Sequence, residues 1–216
     1  MPGKRKKITV VDYGMGNLFN VVRTFEALDC NVSVSNNYNE ILQADKLLLP
    51  GVGAFEDGMT DLKKSNLDNS IKEFSFNERP LMGICLGMQL LMSNSHENGN
   101  HDGLNLVEGE VLRFKSSDEK SFNYKIPQIG WNKLLEPQPN TWIDSILEGI
   151  SFNPYMYFLH SYYVSPKDQK VILSETSYGQ NTFCSVLQKN QIMGCQFHPE
   201  RSGEVGLKIL KNFLEL

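Results

Sequence analysis

Two glycines frame a cysteine in the string Gly83-Ile84-Cys85-Leu86-Gly87-Met88-Gln89, and that spacing is a recipe for a nucleophile. The string joins a buried-looking strand, Leu81 to Ile84, to a segment that the pattern predicts as a helix running from just past Cys85 towards Ser93. A nucleophile on so sharp a turn has a strained backbone, and side chains two residues either side would collide. The turn lifts the sulfur off the sheet's C-terminal edge and puts a helix N-terminus behind it, where negative charge is stabilised. The Leu86 N–H is then free to face a developing oxyanion. Without such a frame a free cysteine is usually a small buried hydrophobe. Cys30, Cys184 and Cys195 are read that way.

A thiol nucleophile needs a base. His96 and His101 fall in a polar stretch and are expected to be solvated. His198 ends a predicted strand and precedes Pro199-Glu200, where proline turns the chain into a loop. Histidine and glutamate on one short turn can converge, the carboxylate orienting the imidazole, which gives the order nucleophile, base, orienter. Cys85, His198 and Glu200 are therefore the expected catalytic set. Pro50-Gly51-Val52-Gly53 follows a leucine strand, and its glycines allow a backbone to approach a ligand closely. An N–H at Val52 or Gly53 is a second expected oxyanion donor, with a tight turn or phosphate loop as the alternative. No Gly-Lys-Ser/Thr follows, so it is not a Walker A loop, and Gly14-x-Gly16 lacks a third glycine because Phe19 stands there.

The elements that must carry these residues alternate. Strands are predicted at Ile8 to Val11, Asn31 to Ser35, Lys46 to Leu49 and Leu81 to Ile84, with helices at Leu18 to Leu28 and about Asp57 to Phe74. That order predicts a largely parallel sheet covered by helices on both faces. After about Asn105 the pattern turns to strands: Val107 to Phe114, Asn123 to Ile126, Tyr155 to Val164, Lys170 to Glu175 and Thr182 to Leu187. These are expected to form a smaller antiparallel sheet packed on the first; Gln191 to Phe197 is a last strand, before a closing helix from Gly203 to Leu216. The whole is expected to be one α/β domain of 216 residues, with residues 1 to 7 a basic, solvated tail.

A net charge of −4 argues against a nucleic-acid binder. No apolar window approaches the ~20 residues a membrane helix needs, and the basic start lacks the apolar core of a signal peptide. The four cysteines make no CxxC pair or zinc spacing, which points to a reducing, cytoplasmic setting without metal.

GICLGMQ, PGVGAF and QFHPERSG together resemble the class I, triad-type glutamine amidotransferases, from about Ile8 to the C-terminus. The resemblance implies a flavodoxin-like three-layer fold, L-glutamine as substrate, a γ-glutamyl thioester on Cys85, and no cofactor. It also implies that Gly51, Gln89, Glu97, Ser161 and Tyr162 bind the substrate, with exposed helix positions the alternative for Gln89 and Glu97. DYGMGN, PGVGAFEDGM and Gly130-Trp131-Asn132 narrow it to the branch that forms a heterodimer with a (β/α)8 cyclase of histidine biosynthesis and passes it ammonia. Asn17, Trp131, Asn132 and Tyr157 match that branch's docking face, with a core aromatic the alternative for Trp131 and Tyr157. One departure stands out. The branch's usual Pro-His-Met is replaced by Pro127-Gln128-Ile129, which leaves open a related branch that serves sugar-aminating synthases.

Overall fold

The computed structural model describes residues 6–115 and 124–216. The chain runs β1 (Lys7–Val11), α1 (Leu18–Ala27), β2 (Asn31–Ser35), α2 (Tyr38–Leu42), β3 (Leu47–Leu49), α3 (Phe55–Lys64), α4 (Leu67–Phe76), β4 (Leu81–Ile84) and α5 (Leu86–Leu90). It continues through β5 (Met92–Ser95), β6 (His101–Asp102), β7 (Val107–Arg113), β8 (Gln128–Lys133), β9 (Tyr155–His160), β10 (Tyr162–Pro166), β11 (Ile172–Tyr178), β12 (Asn181–Lys189), β13 (Ile192–Cys195) and α6 (Gly203–Glu215).

The main sheet has the order β2-β1-β3-β4-β13-β12-β10-β7-β5-β6, with β11 paired to β12. From β2 to β13 every neighbouring pair is parallel. Its short apolar strands feed both faces in turn. Leu48 joins one core layer with Val21 and Phe25 of α1 and Ile209 and Phe213 of α6. Leu47 and Leu49 join the other, with Phe55 of α3, Ile71 of α4 and Leu90 of α5. Burying one such aromatic or aliphatic side chain contributes about 1.5–3 kcal/mol, so the layers fix the strand ends that matter for chemistry. Among the described residues no helix is long and apolar enough to cross a membrane.

The expected three-layer α/β plan is the one observed, with differences in detail. The predicted helix over Asp57 to Phe74 is two helices, broken at Asn66, whose φ is +54°. The helix after Cys85 stops at Leu90, and Met92 already begins a strand. The helix α2 was not expected; Asn37 starts it by accepting from the N–H groups of Asn39 and Glu40. Among the described residues only β8 and β9 form the separate antiparallel sheet, while the other late strands extend the main one. The single strand expected from Tyr155 to Val164 is cut at Ser161, so β9 lies in the small sheet and β10 in the large one. No strand covers Tyr124 to Ile126, and Asn123 lies outside the described residues. Lys6 and Lys7 are not a solvated tail: Lys7 opens β1 and Lys6 forms an ion pair with Glu215. Residues 1–5 lie outside the described residues.

Candidate functional site

The wholly buried strand β4 ends at Cys85, which takes φ 54° and ψ −112°. That conformation costs a non-glycine residue about 1–3 kcal/mol. Bonds on either side hold it: the Cys85 N–H donates to the Cys195 carbonyl at 2.8 Å, and its own carbonyl accepts from Gln89 N–H at 3.2 Å. The flanking glycines are required sterically. A Cβ on Gly83 would lie 2.7 Å from the Gly87 carbonyl, and one on Gly87 would run into the Leu49 carbonyl oxygen of β3. The Cys85 sulfur is nearly buried, 3.8 Å from the Leu159 carbonyl and 3.9 Å from Gln196 Nε2. Cys30, Cys184 and Cys195 are buried free thiols away from this cavity, and burial raises the pKa of each.

The strand β13 runs parallel to β4, Cys195 opposite Ile84, so the residues after both strands emerge on the same edge. Phe197 is buried, His198 is extended, and Pro199 opens a 3-10 turn through Arg201 that swings Glu200 back. His198 Nδ1–H donates to Glu200 Oε1 at 2.9 Å, and both side chains are less than a tenth exposed. Burial pulls the His198 pKa down, but Cys85 and Glu200 outweigh it and bring it up to about 10. His198 therefore keeps its proton at neutral pH. With Nδ1 taken by Glu200, the buried Nε2 is the ring nitrogen left for Cys85, whose hydrogen bond is the largest of the effects that raise the pKa.

These groups border a cavity of about 230 Å³, lined by Val52, Gly53, Cys85, Leu86, Gln89, Glu97, Pro127, Leu159, His160, Ser161, Tyr162 and His198. The turn that holds Val52 and Gly53 follows β3, and Gly53 has φ +106°, open to glycine alone at low cost. Gly51 sits behind it, where a side chain would strike the Tyr13 hydroxyl that donates to the Pro50 carbonyl at 2.7 Å. Gln89 is a buried residue of α5, and its amide donates to the Tyr162 carbonyl at 2.9 Å and to Gln196 Oε1 at 3.2 Å. Glu97 lies in the turn after β5, where its carboxylate accepts from the Phe55 N–H at 2.8 Å and so caps α3. Neither is an exposed helix residue.

Four neighbours of the sulfur or the cavity were not expected from sequence: Pro127, Leu159, His160 and Gln196. The inward register of β9, Met156, Phe158, His160, carries the signal for His160, since alternate residues share a face. His160 is buried, and burial lowers its pKa to about 4, the Tyr162 carbonyl offsetting part and His198 adding to the fall. Its folded pKa lies below the unfolded value near 6.5, so the unfolded chain binds more protons between the two. Unfolding free energy is expected to fall by up to about 3 kcal/mol as pH drops from about 6.5 to about 4. Urea titrations across that range should show a His160→Asn variant losing this part of the slope; an unchanged slope would contradict the assignment. Of the other histidines, His96 is exposed 3.6 Å from Glu110, whereas His101 is half-buried in β6, 3.8 Å from Glu56, and not freely solvated.

The docking-face residues divide. Trp131 and Tyr157 pair across β8 and β9, ring centroids 6.1 Å apart, with Trp131 56% exposed, so it is not a core aromatic. Ile129, Tyr155 and Leu159 lie on the same exposed face. Asn17 is exposed and caps α1 through the Asn20 N–H. Asn132 faces the other way, its amide donating to the Ser177 carbonyl at 2.9 Å. Gln128 is only 2% exposed and opposes His160 in the ribbon, so this departure lies under the surface; Ile129 alone displays the change.

The family model for glutamine amidotransferase class-I matches residues 9–216. The chain is 44% identical to the imidazole glycerol phosphate synthase subunit HisH 1 of Legionella pneumophila (strain Paris), over 97% of this chain and 99% of that protein. It is 43% identical to the HisH subunit of Methanosarcina barkeri, over 98% and 99%. Among solved structures it resembles PurLQS from Thermotoga maritima, with a TM-score of 0.72 at 15% identity, covering 98% of this chain and 99% of that one. A glutamine amidotransferase from Thermotoga maritima matches with a TM-score of 0.60 at 15% identity, covering 98% and 85%.

Proposed function

This chain belongs to the glutamine amidotransferase class-I family, and from that premise we propose that it is the glutaminase subunit of an imidazole glycerol phosphate synthase, releasing ammonia from L-glutamine for histidine biosynthesis. The observation that carries the chemistry is that Cys85 and His198 line one cavity at the ends of β4 and β13, with Glu200 hydrogen-bonded to His198 behind it. The relatives at 42–44% identity, which span nearly the whole chain and carry that name, support the pathway.

In this reading Cys85 attacks the amide carbon of glutamine, and the carbonyl pair moves onto oxygen. The Leu86 N–H and the Val52–Gly53 turn hold that oxyanion. His198 gives its proton to the amide nitrogen, the C–N bond breaks with its pair on nitrogen, and ammonia leaves. A γ-glutamyl thioester remains. His198 then takes a proton from water as it attacks, and the sulfur departs with glutamate formed. Glu200 keeps His198 in the working tautomer through Nδ1. Gly51, Glu97, Ser161 and Tyr162 hold the amino-acid end of glutamine, and Gln89 fixes the Tyr162 carbonyl.

The chain acts as one amidotransferase domain in the cytoplasm, without a cofactor. It forms a heterodimer with a (β/α)8 cyclase that receives the ammonia. Trp131 and Tyr157, with Asn17 nearby in role, present the docking face; Asn132 supports it from within. The sugar-aminating alternative rested on Gln128 and Ile129, and Gln128 is buried away from that face. Adding the cyclase with its nucleotide substrate to the purified chain is expected to raise glutamine hydrolysis about 10- to 100-fold over a low basal rate. Coupled glutamate detection measures it, and no stimulation would overturn the assignment of partner.

A further inference from the structure

The strand register sets a further side chain beside the nucleophile. Cys195 opposes Ile84, so the residues that follow, Gln196 and Cys85, leave β13 and β4 side by side. The Gln196 backbone N–H donates to the Ser185 carbonyl at 2.9 Å, which holds the residue against β12. Gln196 is fully buried, and its Nε2 lies 3.9 Å from Cys85 Sγ. The groups behind the amide decide which of its ends faces the sulfur. The Tyr162 carbonyl can only accept, so the Gln89 atom 2.9 Å away is nitrogen. That nitrogen can only donate, so the Gln196 atom 3.2 Å from it is oxygen. The Gln196 nitrogen is therefore the end turned to Cys85, and among the described residues the sulfur is the one acceptor it meets. Burying an amide N–H against a group that cannot accept is costly, and methionine would fill the same volume without that cost.

We propose that Gln196 is a catalytic residue: its Nε2–H donates to the Cys85 sulfur and stabilises the thiolate. This rests on the glutaminase reading above, in which Cys85 is the nucleophile. When the Sγ proton passes to His198 Nε2, negative charge stays on the sulfur. The Leu159 carbonyl 3.8 Å away accepts the thiol hydrogen but repels that charge. The Gln196 N–H is the opposing dipole, and Gln89 keeps it from turning over. At 3.9 Å its contact with the neutral sulfur is weak, and it strengthens once the sulfur is charged and solvent is excluded. The donor acts twice in a turnover. It favours the thiolate before attack, and it eases departure of the sulfur when water opens the thioester. No proton leaves Gln196 in either step. His198 is the charged group facing the sulfur. Tyr13, after β1, lies within electrostatic reach and stays neutral because burial raises its pKa. Of the other titratable groups on the cavity, His160 is neutral through burial and the Glu97 carboxylate is taken by the Phe55 N–H.

The test reads the sulfur without glutamine. The full chain is alkylated with iodoacetamide, a small neutral electrophile, and the Cys85 peptide is followed by mass spectrometry across the pH range. Gln196→Met keeps the side chain's length and loses the donor. It is expected to move the rising limb of the rate profile to higher pH, with alkylation about tenfold slower at each pH along that limb. The plateau at high pH, where the thiolate is fully formed, should stay within about twofold of wild type. A merely structural role, which would displace the sulfur, lowers the plateau and leaves the limb in place. Gln196→Asn keeps an amide for Gln89 but withdraws the donor by one methylene. It is expected to shift the limb the same way, and it serves should Gln196→Met not fold. An unmoved limb in whichever variant folds overturns the proposal, and so does a lowered plateau without a shift. A wild-type Cys85 alkylated no faster than the buried Cys30, Cys184 and Cys195 at any pH would instead bring down the nucleophile reading, and the Gln196 contact with it.

Discussion

Cys85→Ala is expected to lower kcat for glutamine hydrolysis about 10⁴-fold or more while leaving the fold intact. Removing the sulfur leaves the oxyanion donors and the substrate contacts in place, but nothing can form the thioester. Alanine occupies the same strained backbone and loses only a sulfur that makes contacts of 3.8–3.9 Å, so the urea midpoint should hold within about 1 kcal/mol. A diazoketone analogue of glutamine should label the wild-type chain once and the variant not at all, since Cys30, Cys184 and Cys195 are buried outside the cavity. The variant should also lower the His198 pKa, because Cys85 is one of the two groups that raise it. Undiminished, partner-stimulated activity in the variant would refute the mechanism.

Gly87→Ala should fail in the opposite way, losing stability together with activity. Its methyl group would enter the Leu49 carbonyl oxygen, and Leu49 lies in the fully buried strand β3. Neither backbone can retreat, since β3 is paired on both sides. A destabilisation of about 2–3 kcal/mol is expected. Relief of the clash would have to come from the turn itself, which moves the sulfur relative to His198 and lowers kcat even in molecules that fold. Urea unfolding and steady-state kinetics on one preparation check both parts. A variant with the wild-type midpoint and full activity would show that the turn does not need its glycine.

The site was legible in sequence where its constraints are local. A glycine two residues from the nucleophile excludes one Cβ, and Pro199 directs one turn, so Cys85, His198 and Glu200 could be named from strings of a few residues. The parallel core was legible too, because leucine-rich runs such as Leu47 to Leu49 read the same in any register. Pairing partners were not. Alternation along β9 and β10 identifies both as strands, yet nothing in Leu159-His160-Ser161-Tyr162 says that the two halves join different sheets. The strand β8 contains Gly130 and Asn132 and no β-branched run beyond Ile129, so its pairing with β9 overrode a weak local preference. The five-residue step from Leu62 to Leu67 breaks the helical period of α3 and α4, and it falls where Asn66 takes a left-handed backbone. Gln196 and His160 were missed for a related reason: their neighbours come from distant strands.

The strand switch at Ser161 makes the exposed ribbon and the catalytic edge a single linkage with a one-residue joint. On one side of the joint are the aromatic rings of Trp131 and Tyr157. On the other is Tyr162, whose carbonyl anchors both His160 and Gln89. A second tie runs in parallel, from the Tyr157 carbonyl to the His198 N–H at 2.9 Å. Two short hydrogen-bonded struts, with no loop between them, therefore connect the outer face to both imidazoles.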